Sequence, residues 1–246
     1  ALLKEKLFNT GWALPEIFLS ATHTHSSLGG WAPGLVGNMI AGTYNAKYPE
    51  FIANQIVASI QMAEKRLNAG SWSFNELSIP SLINNRLVGT QGITDPNLKL
   101  MALKSGMKEG VHVFYGAHAT CLSGKNKQMS RDYPGVFSDW VVNHTPLDFA
   151  VYSAGAVASM GPETGPKQGF DRAQFMGEEM AKQVALIQQF GFPYENQLNL
   201  SFFRIPLFLR RPMVKISENW ALRPWIFKWA FGHSPLEISM IQLNDL

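Results

Sequence analysis

The chain has 246 residues, of which 46% are hydrophobic and 16% charged, the composition of a globular chain with a real core and not of a disordered one. A formal charge of +3, with no basic cluster on one helix, gives no electrostatic reason to expect a nucleic-acid partner. The single cysteine, Cys121, excludes an intrachain disulfide framework, and no apolar run reaches the ~18 residues of a membrane span.

The predicted elements follow in chain order. Residues 2–8 read as the tail of a helix. Ile17 to Ala21, "IFLSA", reads as a short buried strand and feeds the loop "THTHSSLGG". Ile52, Ile56, Ile60, Ala63 and Leu67 recur at helical spacing, which predicts a helix over 51–70 with Gly70 as its stop. Residues 71–80 alternate like a strand and end at Pro80. Three further strands are expected at 98–105, 111–115 and 148–154, with Gly106 to Gly110 turning between the first two. A second long helix is expected over 171–190 and a strand over 199–209. The first residue already lies in a helix-like stretch, without methionine or a visible signal peptide. The last, in "EISMIQLNDL", lies in a strand-like one. Both ends therefore read as cuts through a larger protein.

Strands interleaved with two long helices predict an α/β or α+β fold: a layered mixed sheet flanked by helices, with the site at strand ends. The polar loops support that placement. His23 follows one strand, His118 another and Ser159 a third. On an extended "HTH" segment, period-two alternation points His23 and His25 to the same side. Two imidazoles on one side suit a transition metal, usually zinc. A pair of loop histidines bonded to backbone and water explains the same residues. Alone, His118 reads as a core histidine, Arg86 as a surface or ion-paired arginine and Ser159 as a turn serine. Ser159 is not in a G-x-S-x-G elbow, because Gly155 stands four residues before it and Gly161 two after.

In order, "SATHTHSSLGG", "INNRLVGTQGITDPNLKLMALK", "VHVFYGAHATCLSG", "MSRDYPGVF" and "YSAGAVASMGP" resemble the neutral/alkaline non-lysosomal ceramidase family. The specific part is the S-x-T-H-T-H-S-G-P-G-G loop. The resemblance implies one catalytic domain, truncated at both ends, of which residues 1–246 are part. It implies a zinc amide hydrolase that cleaves ceramide or a related N-acyl lipid with a metal-activated water. His23 and His118 would be zinc ligands, and a glutamate and a tyrosine beyond Leu246 would complete the zinc sphere. His25 would be a general acid/base or orienting group, Arg86 would face the substrate or transition-state oxygen, and Ser159 would be the turn serine near the site. A secreted or extracytoplasmic location is likewise implied.

Several surroundings depart from the pattern: Ser27-Leu28 for G-P, Leu87 after Arg86, Ala119 after His118 and Met160 after Ser159. They leave room for another lipid, for a non-lipid amide or ester, or for a lapsed member that only binds. Retention of His23, His25, His118 and Arg86 together speaks for the enzyme. The stretch from Phe208 to His233 mixes Arg210, Arg211, Arg223 and Lys228 with Trp220, Trp225, Phe227, Trp229 and Phe231. That composition suits membrane-surface contact by a lipid-handling protein, or a buried aromatic cluster.

Overall fold

The computed structural model describes residues 2–89, 91–207, 215–217, 220–221 and 236–244. In chain order the elements are α1 (Leu2–Leu7), a 3-10 turn (Leu14–Glu16), α2 (Gly34–Ala41), α3 (Lys47–Glu64), β1 (Ser71–Ser78), a second 3-10 turn (Pro80–Leu82) and β2 (Ile83–Asn85). There follow β3 (Asn97–Ser105), β4 (Lys108–Tyr115), α4 (Asp132–His144), β5 (Phe149–Ala154), β6 (Met160–Pro162) and α5 (Gly169–Phe190). Last come β7 (Leu200–Leu207), β8 (Lys215–Ser217), β9 (Trp220–Ala221) and β10 (Leu236–Leu243).

The chain divides into two units. One comprises Ala1–Phe18, Leu28–Leu67 and Asn199–Leu246. Within it α1 packs on α3, and β7 pairs antiparallel with β10. The other comprises Leu19–Ser27 and Asn68–Leu198. It is built on a four-stranded mixed sheet of order β1-β3-β4-β5. β1, β3 and β4 run antiparallel to their neighbours, while β5 runs parallel to β4. The β3–β4 hairpin closes in two residues, with Ser105 opposite Lys108 and Gly106 at φ 58°, a backbone angle that glycine adopts without a Cβ penalty.

A parallel pair requires a crossover, and α4 supplies it. Its apolar side, Tyr133, Phe137 and Val141, meets Ala173, Met176, Met180 and Val184 of α5 over Val111, Val113, Tyr115 and Tyr152 of the sheet. The helices thus cover one face of a mixed sheet, in agreement with the α/β expectation. The loops after β4 and β5 open at the same end because the two strands are parallel. Ligand sites of layered α/β proteins gather at such ends.

Three sequence expectations change in detail. The segment Ile17 to Ala21 is not a regular strand. It is tied to the end of β5, where Ala154 N–H donates to the Ala21 carbonyl at 2.9 Å. The long helix begins at Lys47 and ends at Glu64, because its polar approach is helical too. α4 was not anticipated, since Pro134 and Gly135 resemble a turn. Pro134 falls in the first helical turn, where its missing N–H leaves no bond unmade. Most of the basic and aromatic stretch, including Arg210, Arg211, Arg223, Trp225, Phe227, Lys228, Trp229 and Phe231, lies outside the described residues.

Candidate metal centre

Three imidazoles meet in the second unit. One ligating nitrogen from each of His23, His25 and His118 lies within 4.8 Å of the others. The ring centroids of His23 and His118 are 4.5 Å apart, those of His25 and His118 4.8 Å, and those of His23 and His25 5.1 Å. His25 Nε2 and His118 Nε2 approach to 2.9 Å. His118 is 7% exposed, whereas His23 and His25 are exposed.

His118 is the fixed member. It follows β4 through Gly116, where a Cβ would meet Met160 Cε at 2.8 Å. Its N–H donates to the Met160 carbonyl at 3.1 Å. Tyr133 Oη faces the Ala117 carbonyl and Tyr152 Oη the Tyr115 carbonyl. The two phenol oxygens also lie 2.6 Å apart, so their two protons are shared among these three contacts. Burial holds both hydroxyls well above the usual phenol range, so they remain protonated donors.

The other two histidines converge for a different reason from simple alternation. His23 has φ 58°, a left-handed conformation that costs a non-glycine residue about 1–3 kcal/mol and persists only where its surroundings over-determine it. The loop is held on both sides. Ahead of it, Ser20 Oγ bonds Ser153 Oγ at 2.6 Å, and the Ala21 carbonyl receives Ala154 N–H. Behind it, Thr24 Oγ1 donates to the Ser130 carbonyl at 2.9 Å, and Ser130 N–H to the Ser26 carbonyl at 2.8 Å. Thr24, between the histidines, is thus an anchor. Gly29 and Gly30 serve close packing of backbone: a Cβ on Gly29 would meet the Ala41 carbonyl oxygen at 2.3 Å, and Gly30 N–H donates to that carbonyl.

Arg86 reaches the cluster, with Nη1 2.7 Å from His118 Nδ1. The Val157 carbonyl lies 3.1 Å from the same Nδ1. These partners select different tautomers. Arg86 can only donate, so its bond requires a bare Nδ1 and places the proton on Nε2, which then donates to His25. An Nδ1–H donating to Val157 leaves the Nε2 lone pair free for a cation, with a carbonyl on the other nitrogen as metal-bound histidines commonly have. The donor set therefore fits a metal ion such as zinc, which takes imidazole nitrogen readily. His118 titrates below the usual histidine range, chiefly from burial and further from His23, Arg86 and His25, against the bond to Val157. His25 is lowered by burial first, then by His23 and Arg86, with Asp132 opposing. Both shifts favour the neutral rings that bind metals.

Ser159 lies in the turn after β5. Its carbonyl accepts Arg86 N–H at 2.9 Å, between residues whose carbonyls both face His118. All five residues singled out from sequence thus belong to one neighbourhood. Asp132 was missed. It is 2% exposed, has φ 55° and accepts from the N–H groups of Cys121, Leu122 and Tyr133. It ties the loop carrying His118 to the start of α4. An Asp opening an apolar helical run was the available signal, obscured by the Pro-Gly that follows.

The loop after β4, the histidine loop bonded to the end of β5 and the turn after β2 bring three imidazoles and a guanidinium together, and define an α/β protein with a metal-competent polar centre. Residues 1–160 match the sequence model of the neutral/alkaline non-lysosomal ceramidase N-terminal region, and the chain belongs to that family. It is 27% identical over 135 residues to the neutral ceramidase of Pseudomonas aeruginosa, a match that covers 50% of this chain and 20% of that protein. Among solved structures, a ceramidase complexed with C2 superposes with a TM-score of 0.67 at 20% identity, over 86% of this chain and 37% of that one. The crystal structure of the Pseudomonas aeruginosa neutral ceramidase gives a TM-score of 0.67 at 18% identity, over 96% and 39%. The chain thus spans well under half the length of these relatives.

Proposed function

We propose that this chain carries part of the catalytic domain of a zinc-dependent amide hydrolase acting on ceramide or a related N-acyl lipid. The carrying observation is the meeting of His23, His25 and His118 beside Arg86, in a member of the ceramidase family. His23 and His118 hold the ion, with a glutamate and a tyrosine from beyond Leu246 as the remaining ligands by family resemblance. Zinc supplies a water of lowered pKa and polarises the scissile carbonyl.

The chain's own groups do the rest. Arg86 presents a guanidinium that has no ion-pairing carboxylate among the described residues, ready for the oxygen that gains charge as the carbonyl is attacked. His25 takes a proton from the attacking water and returns one to the leaving amine. The Ser159 turn bounds the substrate side. Leu35, Met39 and Ile40 of α2 are 65%, 78% and 74% exposed, an apolar surface suited to contact with a lipid aggregate. A second division of labour has its own support: the 2.9 Å separation of the His25 and His118 Nε2 atoms suits His25 as a ligand too.

The test uses the complete protein, freed of metal by chelation and assayed on N-acylsphingosine and on matched esters. Amide cleavage should vanish on chelation and return with zinc. Undiminished cleavage by metal-free protein would overturn the proposal. His25→Ala should retain zinc and lose about 10²–10⁴-fold in kcat, whereas lost zinc would make His25 a ligand.

A further inference from the structure

On the sheet face away from α4 and α5, the structure holds a polar chain that the proposed reaction does not use. His112 Nε2 lies 2.6 Å from Ser153 Oγ, and Ser153 Oγ lies 2.6 Å from Ser20 Oγ. His112 belongs to β4 and Ser153 to β5; they lie two register positions apart in the parallel pair, His112 opposite Val151 and Ser153 opposite Phe114. The His112 ring stacks on Phe114 with centroids 4.3 Å apart. Ser153 is 0% exposed, whereas Ser20 is exposed and opens the histidine loop.

The proton count makes this chain specific. Ser153 has one O–H and two partners, so it must donate to one and accept from the other. Burial lowers the His112 pKa, which favours a neutral ring and leaves Nε2 able to accept or donate according to tautomer. Either direction satisfies every member, and neither survives loss of the middle serine. A buried hydroxyl placed between two partners fixes Ser20, and the Ala154 N–H to Ala21 carbonyl bond fixes the next residue. His23 follows two residues later in its left-handed conformation.

We propose that the Ser20–Ser153–His112 chain is the positioning device that sets the histidine loop on the end of β5 and so turns the His23 imidazole toward His118. Its link to a metal rests on the reading of that cluster as the zinc centre. Ser20, Ser153 and His112 are positioning residues and touch neither ion nor substrate. The chain acts ahead of His23, as Thr24 and Ser26 act behind it through Ser130. Between these two anchors the strained residue has no freedom to relax.

Two measurements on the complete protein decide the proposal. The first is hydrogen–deuterium exchange of residues 19–27 in the metal-free state. Ser153→Ala and His112→Leu should each raise exchange about fivefold or more, the factor expected when one net hydrogen bond no longer opposes opening. Ser20→Ala breaks the same link from the exposed end and covers the case in which the buried variants fail to fold. His112→Gln, which keeps a polar group near the Nε2 position, should stay close to wild type. Unchanged exchange in Ser20→Ala and Ser153→Ala would overturn the anchor. The second is Zn²⁺ affinity by chelator competition, with the Co²⁺ visible spectrum reporting the ligand set. Ser153→Ala should weaken Zn²⁺ binding about 10–100-fold, as loss of outer-shell support does, and His112→Gln should leave it near wild type. Raised exchange with unaltered Zn²⁺ affinity would sever the anchor from the metal centre and overturn that part. If wild type and His23→Ala bind Zn²⁺ equally poorly, the zinc reading itself fails, and the exchange result alone decides the anchor.

Discussion

Arg86 carries a permanent charge against a neutral ring, and removing it changes two things at once. It withdraws a cation from beside His118, and it frees His118 Nδ1 to bond Val157 alone. Because Arg86 lowers the His118 pKa, its loss also raises that pKa. Arg86→Ala should reduce kcat/KM on an N-acyl substrate by about 10²–10³, the range for loss of one oxyanion donor, as steady-state kinetics would read. Arg86→Lys should not restore it, since a point ammonium does not reproduce the guanidinium fork. An unaltered kcat/KM in Arg86→Ala would remove it from the mechanism. The residue types of this site were legible in the sequence, because two histidines flanking a threonine and an arginine in "NNR" are chemically distinctive. The reason they meet was not. Alternation along an extended segment predicts their meeting, yet His23 sits at φ 58°, in a loop held by bonds to distant partners at 130, 153 and 154.

The β4–α4–β5 crossover shows what local pattern conveys and what it conceals. Alternation and β-branched content made both strands legible, and a parallel pair then demanded a connecting helix. That helix was hidden by the Pro-Gly in its first turn. Its opening residue, Asp132, gathers two backbone N–H groups of a buried loop and that of Tyr133 in its own helix, which no sequence period encodes. Asp132→Ala would leave those donors buried and unpaired. At about 1–3 kcal/mol for each such group, partly offset by relaxation, the expected loss is about 3 kcal/mol in a urea unfolding series. Asp132→Asn keeps one oxygen and tolerates the left-handed angle, so it should fall between alanine and wild type. Equal stability of alanine and asparagine variants would show that the carboxylate's bonds are not what holds the loop.

Across the molecule, the sheet strands and the long helix α5 were readable from sequence, but α4 and the division of the chain were not. The histidine loop, Leu19–Ser27, belongs to one unit while the segments on either side belong to the other, an exchange without a linker-like composition to mark it. Electrostatics follow the same distinction between local and assembled. Asp148 is held below its ordinary range by exposed Lys108 and by Glu109 N–H, and Glu163 by Gly165 N–H and Asn84. These carboxylates contribute stability that is full above the ordinary carboxylate range and is lost as pH falls through their lowered values. His112 is different. Burial lowers its pKa from 6.5, so between pH 6.5 and its lower folded value the unfolded chain binds more protons than the native one. Stability is therefore full above pH 6.5 and declines as pH falls through the folded pKa. His25 and His118 push in the same direction in metal-free protein. The urea midpoint of the metal-free protein should thus drop between pH 7.5 and pH 5.5. His112→Gln, having no proton to gain there, should drop less. Because the His112 shift comes from burial and not from exposed charges, its share of the drop should persist at high salt. An identical pH dependence in wild type and His112→Gln would mean that His112 already titrates as it does in the unfolded chain.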